Sequence, residues 1–304
     1  MNNVITLVKV VGDEIMLVLF TDTDCDVTPK MAKEMGYKLI SMPYIIDDIN
    51  YYPYCECDDF DMKAFYDELR KGVMPKTCAI SPGEYVDAFE PVFKEGNDIL
   101  YVHFSKAMSG TFDAMNIALE ELYEKYPGRK FYSIDTKGIT INSYIIVREV
   151  ARLFKEGKSL EEVLAWANEE VDHFATYFYA DDLKFFARSG RVSNFTAIMG
   201  SLIGIHPILH MASDGMMKSV SKARGKMPTL TKIVDYVTEL GLDVKKYGIV
   251  IGHSDAKEIA ERLASMIKAK LGDDLDIEYV EVNPTAGSHC GPGNVGVSFH
   301  AIHR

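Results

Sequence analysis

The feature that most constrains the fold is a buried strand followed at once by an amphipathic helix near the middle of the chain. Residues 99–104 are mostly apolar, as in a strand covered on both faces, and residues 112–126 carry apolar side chains at helical spacing. Strand and helix patterns alternate in the same way before and after this unit, which predicts a parallel sheet with right-handed crossovers. Ligands of such sheets bind beyond the carboxyl ends of the strands, so functional side chains are expected in the loops there.

The loop between this strand and helix is Ser109-Gly110-Thr111. Free backbone N–H groups and the positive end of the helix dipole make such a position suitable for an anion. Two interpretations of Ser109 remain open: it caps the helix by accepting a hydrogen bond from a first-turn N–H, or it helps to bind an anionic ligand. Thr77 lies in a similar loop, ahead of a helix that the capping box at 81–84 begins, and has no capping role of its own.

Length and strand spacing predict two domains. A chain of 304 residues is long for one core, and 47% apolar residues are enough to fill two. From residue 174 onward the strands are more closely spaced, and a turn at 213–215 favours antiparallel pairing. We therefore expect an α/β protein with an N-terminal three-layer α/β/α domain on a parallel sheet, residues 1–173, and a C-terminal α/β domain with a mixed or antiparallel sheet, residues 174–304.

Charge and composition exclude several classes of function. A net charge of -12 and no cluster of Lys and Arg argue against nucleic-acid binding. The first residues lack a basic signal-peptide region and no apolar run approaches the ~18 residues of a membrane span, so the cytoplasm is the expected location. Five cysteines form an odd set, and reduced thiols are expected. Cys55 and Cys57 have no second pair at ligand spacing, so we expect no metal site.

The first predicted strand runs into a loop that contains Asp22, Asp24 and Asp26. Asp-rich loops can hold a cation, but this one has no glycine at the bend and no later glutamate in register. We therefore expect these three carboxylates to be solvated turn and cap residues.

Seven stretches, in the correct order over nearly the whole chain, resemble the motifs of the DegV family. That family comprises bacterial fatty-acid-binding proteins, including the carrier subunits of fatty-acid kinase. The resemblances are residues 21–26 to T-D-S-x-x-D, 75–82 to P-x-T-S-Q-P-S-P, 105–112 to S-S-x-L-S-G-T-Y, 135–137 to D-T-K/R, 189–193 to G-G-R-I, 207–215 to K-P-I-L with D-G, and 289–293 to H-T-G-P-G. The chain departs from these motifs at Cys78, Lys106, His206 and Cys290, which affects the polar surroundings of the ligand head group.

The resemblance implies a non-catalytic carrier without a cofactor, acting in phospholipid metabolism. It would hold a long-chain fatty acid in a tunnel between the domains and present the carboxylate to a fatty-acid kinase subunit, with transient contact with a membrane surface as a further alternative. The residues implied for the carboxylate are Thr77, Ser109, the Gly110 backbone, His289 and Arg224. An apolar tunnel wall would come from Phe112, Phe195, Ile198, Met199, Leu202, Ile203 and Leu209, although the same residues fit an ordinary core equally well.

Two other functions remain open at this point. The same anion site at Ser109 would suit a hydrolase or transferase acting on a small acyl or phosphorylated substrate. Such an enzyme would need a base close to Ser109, and the surrounding sequence is not the G-x-S-x-G elbow. The third function is a regulatory lipid sensor that has no kinase partner.

Overall fold

The computed structural model describes residues 16–54, 60–194 and 204–304. The strands are β1 Leu17–Asp22, β2 Tyr37–Ile40, β3 Tyr44–Ile46, β4 Ile49–Tyr51, β5 Lys76–Thr77, β6 Asp98–His103, β7 Phe131–Asp135, β8 Phe174–Tyr179, β9 Ile205–Met211, β10 Met217–Arg224, β11 Ile249–His253, β12 Ile277–Glu281 and β13 Val295–His300. The helices are α1 Pro29–Met35, α2 Met62–Arg70, α3 Pro82–Lys94, α4 Thr111–Lys125, α5 Ile141–Lys155, α6 Leu160–Glu170, α7 Leu183–Ser189, α8 Lys226–Leu240, α9 Val244–Tyr247, α10 Lys257–Leu271 and α11 Pro284–Cys290.

The first sheet is parallel, with strand order β2-β1-β6-β7. Helices α3 and α4 pack on each other and α3 contacts β6, while α1 packs on β2. Because all strands run the same way, the loops after β1 and β6 meet at one edge. The Phe104 backbone N–H donates to Asp22 Oδ2 over 3.3 Å and joins these two loops. The predicted parallel sheet is therefore confirmed.

The second sheet is mixed, with order β10-β9-β8-β13-β11-β12 and a parallel pair only between β11 and β12 among the described strands. Helices α8 and α10 cover one face. Side chains alternate along β8, so Tyr177 and Tyr179 join the core under these helices while Thr176 and Phe178 face the other way. The α/β fold class with a parallel and a mixed sheet is confirmed. A boundary at 173/174, directly before β8, stays a prediction.

Helix α5 lies between the two sheets. It contacts β6 of the first sheet and β8, β11 and β13 of the second. Most of its side chains are buried, including the polar Asn142 and Ser143, because sheets cover it on both sides. Asn142 Nδ2 donates to the Phe174 carbonyl oxygen over 2.9 Å, and Ser143 hydrogen-bonds Thr136 over 2.7 Å. This helix therefore holds the two sheets at a fixed separation.

A small antiparallel sheet of order β4-β3-β5 was not apparent from the sequence. The pattern at 39–46 suggests one strand, but the structure divides it between β2 of the first sheet and β3 of the small one. Pro43 lies between them and cannot donate to a strand ladder, which explains the break. The pairing of Tyr44 with Thr77 fixes the position of the 75–80 loop.

Candidate functional site

An apolar cavity lies between the two sheets. Its volume is about 1000 Å³, with the solvent space at its mouth included. Both sheets and the loops at their edges contribute apolar side chains to the wall, among them Met42, Phe104, Met108, Phe178, Met211 and Met217. Methionine is flexible and polarizable, so such a wall adapts to a flexible apolar ligand. A mostly apolar cavity with a few polar groups in its wall is typical of small-molecule sites.

Thr77 and His289, which are 212 residues apart in the sequence, meet in this cavity. Thr77 Oγ1 and His289 Nε2 lie 2.8 Å apart. Thr77 is on β5, and His289 is in the last turn of α11. Two buried hydrogen bonds fix α11 and the segment before it: Tyr66 donates to the Val282 carbonyl over 2.8 Å, and Thr285 donates to the Met42 carbonyl over 2.6 Å.

Ser109 lines the same cavity and also serves the start of α4. Its Oγ accepts a hydrogen bond from the Thr111 N–H over 3.2 Å. The Thr111 hydroxyl in turn accepts from the Ile80 N–H over 3.2 Å, which ties the loop after Thr77 to the start of the helix. The capping interpretation of Ser109 and its position on the cavity are thus compatible. The hydroxyls of Thr77 and Ser109 thus come from separate loops and line the same cavity.

Arg191 is a cavity residue that sequence reasoning missed. It lines the cavity, its Nε donates to the Met108 carbonyl oxygen over 3.3 Å, and a second guanidinium nitrogen hydrogen-bonds the Ser189 carbonyl. Burial, together with the charges of Arg191 and Arg188, lowers the pKa of His289 to about 4. At neutral pH this end of the cavity therefore has a neutral imidazole beside a guanidinium cation. The sequence signal that could have identified Arg191 is the motif at 189–193, which contains it.

Several residues named for the site lie elsewhere. Arg224 is exposed at the end of β10 and is not part of the cavity wall. Gly110 is exposed at the start of α4. Phe112 is buried against His103, with ring centroids 4.4 Å apart, and Leu209 is fully buried in the core between the sheets. The remaining wall residues lie outside the described residues: Phe195, Ile198, Met199, Leu202 and Ile203.

The expectation that Asp22, Asp24 and Asp26 are solvated was wrong. All three are buried, because this loop lies under the edge of α5 and the start of α11 rather than on the surface. Tyr101 and the Phe104 N–H donate to Asp22, but burial outweighs these bonds and raises its pKa to about 7. Burial likewise raises the pKa of Asp26 to about 7 and that of Asp24 well above its ordinary range.

The glycine that ends α11 is required by a close contact. Gly291 has φ +72°, and a Cβ there would overlap the ring of Phe185 on α7. We expect Gly291→Ala to lower the free energy of unfolding by ~1–3 kcal/mol more than Gly128→Ala. Gly128 has φ +92°, but no described atom lies within 4 Å of the point that a Cβ there would occupy, so both variants share the backbone cost. Urea denaturation measures the difference, and equal losses would contradict a role for the Phe185 contact.

The described residues offer little support for nucleophilic catalysis. Ser109 has no hydrogen bond to a histidine or carboxylate among them, and His289 pairs with Thr77 instead. Cys78 and Cys290 line the cavity, but burial raises the pKa of Cys290 to about 12, so it is a thiol at neutral pH. Nucleophilic catalysis needs an activated nucleophile and a base within reach. Neither Ser109 nor Cys290 has both among the described residues.

Within residues 16–54, 60–194 and 204–304, no group of three or more His, Cys, Asp or Glu side chains is arranged to hold a metal ion. Cys55 and Cys57 lie outside these ranges. No helix in the same ranges is both long and apolar enough to cross a membrane.

Residues 16–301 match the family described as "Uncharacterised protein, DegV family". The chain belongs to the DegV family. A DegV domain-containing protein of Clostridium perfringens is 35% identical to it over 283 residues, which is 93% of this chain and 96% of that protein. The family resemblance inferred from seven short motifs is therefore confirmed.

Solved DegV structures share the fold. A fatty acid binding DegV family protein from Streptococcus agalactiae superposes with a TM-score of 0.79 at 25% identity, covering 95% of this chain and 100% of that one. A DegV family protein from Eubacterium eligens, loaded with heptadecanoic acid, gives a TM-score of 0.79 at 22% identity and covers 94% and 99% of the two chains. The arrangement of two sheets is thus that of other DegV proteins.

Proposed function

We infer that this DegV protein binds a long-chain fatty acid in the cavity between its sheets. The observation that carries the proposal is the contrast within one cavity, whose apolar wall is interrupted by the hydroxyls of Thr77 and Ser109, the His289 imidazole and the Arg191 guanidinium. Thr77 contacts His289, the charge of Arg191 acts on His289, and Arg191 donates to the carbonyl of Met108, the residue before Ser109; these relations support one polar end. A ligand with an anionic head and an apolar chain matches this division.

The energetics agree with such a ligand. A carboxylate buried without partners costs several kcal/mol, so hydroxyl donors and a guanidinium cation near one another are what its binding requires. About fourteen buried methylenes contribute roughly 11 kcal/mol at ~0.8 kcal/mol each, against ~4–15 kcal/mol lost on association. A preformed cavity reduces the free energy lost on association, because less of the protein has to be ordered on binding. The description of the Streptococcus protein as fatty acid binding and the heptadecanoic acid in the Eubacterium protein are consistent with this ligand class.

The carboxylate would then be available to a partner. We propose that a fatty-acid kinase subunit phosphorylates it to an acyl phosphate, with this chain as a non-catalytic carrier in the cytoplasm. Support for a carrier rather than an enzyme comes from Ser109, which has no base among its described hydrogen-bond partners. Support also comes from His289, whose lowered pKa leaves it uncharged and bonded to Thr77.

Native mass spectrometry tests the binding proposal. The purified protein is expected to carry a species of fatty-acid mass, to lose it on delipidation, and to take up one equivalent of added palmitic acid. A delipidated protein that takes up no fatty acid would end the proposal. Formation of acyl phosphate on adding ATP and a kinase subunit tests the carrier role, and bound fatty acid without such turnover would favour a lipid sensor.

A further inference from the structure

Asp22, Asp24 and Asp26 each have one carboxylate oxygen without a hydrogen-bond partner among the described residues, and Asp24 is the one of the three that lines the cavity. Asp22 receives hydrogen bonds from the Tyr101 hydroxyl and a backbone N–H, and Asp26 receives two from Asn283. Asp24 lines the cavity and is 7% exposed, yet its Oδ1 has no hydrogen-bond partner among the described residues. Buried polar side chains are nearly always hydrogen-bonded, so an unpaired one in a ligand cavity points to a group supplied by the ligand.

The second sheet contributes a matching group. Thr176, on the inner face of β8, lines the same cavity and is 3% exposed. Its hydroxyl also has no hydrogen-bond partner in the described part of the chain. Two unpaired polar groups from separate sheets therefore face a cavity whose other wall residues are largely apolar. A plain alkyl chain would satisfy neither of them.

The geometry of α11 separates the loop that contains Asp24 from the pair formed by Thr77 and His289. Asn283, at the start of α11, is held by Asp26, whereas His289, in its last turn, is held to Thr77. The six residues from 283 to 289 span ~9 Å at ~1.5 Å per residue. Because Asp24 belongs to the loop at the first of these ends, an acyl chain anchored at Thr77 would pass it after roughly seven bonds, at ~1.2 Å per extended bond.

We propose that the preferred ligand is a long-chain fatty acid with a hydroxyl near the middle of the chain, hydrogen-bonded by Asp24 and Thr176. This inference rests on the proposed fatty-acid binding and specifies its substrate class. Burial, and after it the charges of Asp22 and Asp26, raise the pKa of Asp24 well above the ordinary range, and the charge of Arg191 only partly opposes this shift. A raised pKa favours the protonated carboxyl, which can both donate to and accept from a hydroxyl.

Calorimetric titration of the delipidated full chain tests the inference with three acids. The probes are octadecanoic acid, 10-hydroxyoctadecanoic acid and 2-hydroxyoctadecanoic acid. The 10-hydroxy acid is expected to bind about tenfold more tightly than octadecanoic acid, as one satisfied buried hydrogen bond allows, and the 2-hydroxy acid is expected to gain nothing comparable. Asp24→Leu and Thr176→Val should each reduce this preference, while Asp24→Asn, which can still donate and accept, should retain it.

Other results have separate meanings. Equal affinities for octadecanoic and 10-hydroxyoctadecanoic acid in the natural protein, or a preference unchanged in both Asp24→Leu and Thr176→Val, would overturn this inference and leave fatty-acid binding standing. Binding of none of the three acids would overturn the proposed function instead. Thr176→Val keeps the shape of the side chain and remains informative if Asp24→Leu does not fold. Asp214→Asn, at an exposed turn, is the matched control and should keep the preference.

Discussion

Replacing Thr77 by Val and Ser109 by Ala in one variant is expected to weaken the binding of palmitic acid by at least about a hundredfold. Each hydroxyl is proposed to donate to the bound carboxylate, and a hydrogen bond to a charged group is worth ~1.5–3 kcal/mol. Two such bonds amount to about 3 kcal/mol or more, which is about two orders of magnitude in Kd. Thr77→Val also leaves the partly buried His289 ring without its partner at 2.8 Å. Calorimetric titration of the delipidated protein measures the change.

Controls separate this effect from a general loss of hydroxyl groups. Thr238 and Ser265 donate within their own helices, to the Val234 and Glu261 carbonyls, away from the cavity. The double variant Thr238→Val with Ser265→Ala should bind palmitic acid as the natural protein does. Thr77→Ser keeps the oxygen and should recover most of the affinity lost in Thr77→Val. Natural affinity in the variant at positions 77 and 109, with its fold intact, would show that the carboxylate binds elsewhere.

Local patterns explain what could be predicted of the fold. The capping box at 81–84 appears in the structure, since it depends on residues within one helical turn. The small sheet was missed because β5 has two residues and pairs with β3 across more than thirty positions. Neither its length nor its spacing leaves a periodic signal.

The site was predictable to the extent that motifs mark loops. Thr77, Ser109 and His289 line one cavity, and this placement depends on two loops and α11 meeting, which the topology of parallel strands favours. That Arg191, which follows α7, lines the cavity while Arg224, at the end of β10, does not depends on how α7 packs, and the sequence pattern does not give this. Likewise, periodicity predicts that Phe112 and Leu209 are buried but does not distinguish a core from a cavity wall.

The burial of the loop that contains Asp22, Asp24 and Asp26 was also not predictable from the sequence pattern. It leads to the second large effect that we expect, a dependence of stability on pH. The polarity of the loop suggested a solvated turn, but Asp22 and Asp26 are buried with pKa values of about 7. In the folded chain these carboxyls keep their protons up to about pH 7, whereas their ordinary pKa is 3.8. The folded state therefore binds more protons between these limits, and the stabilisation, full below pH 3.8, is lost as pH rises to about 7.

The free energy of unfolding should consequently fall by several kcal/mol between pH 5 and pH 7. Each carboxyl contributes a slope of ~1.4 kcal/mol per pH unit, so the two together approach ~5 kcal/mol over this range. Asp24, whose pKa burial also raises, acts in the same direction. Urea denaturation at half-unit pH steps measures the slope.

Asparagine variants identify the residues responsible for this slope. Asp22→Asn and Asp26→Asn each keep an oxygen to accept the hydrogen bonds from Tyr101 and Asn283, but neither side chain titrates. Each variant should remove about half of the fall in stability between pH 5 and pH 7. Asp87→Asn, at an exposed position of α3, should leave the profile as it is in the natural protein. A stability that rises steadily from pH 5 to pH 7, or the same slope in all three variants, would mean that these buried carboxyls are ionised in the folded chain.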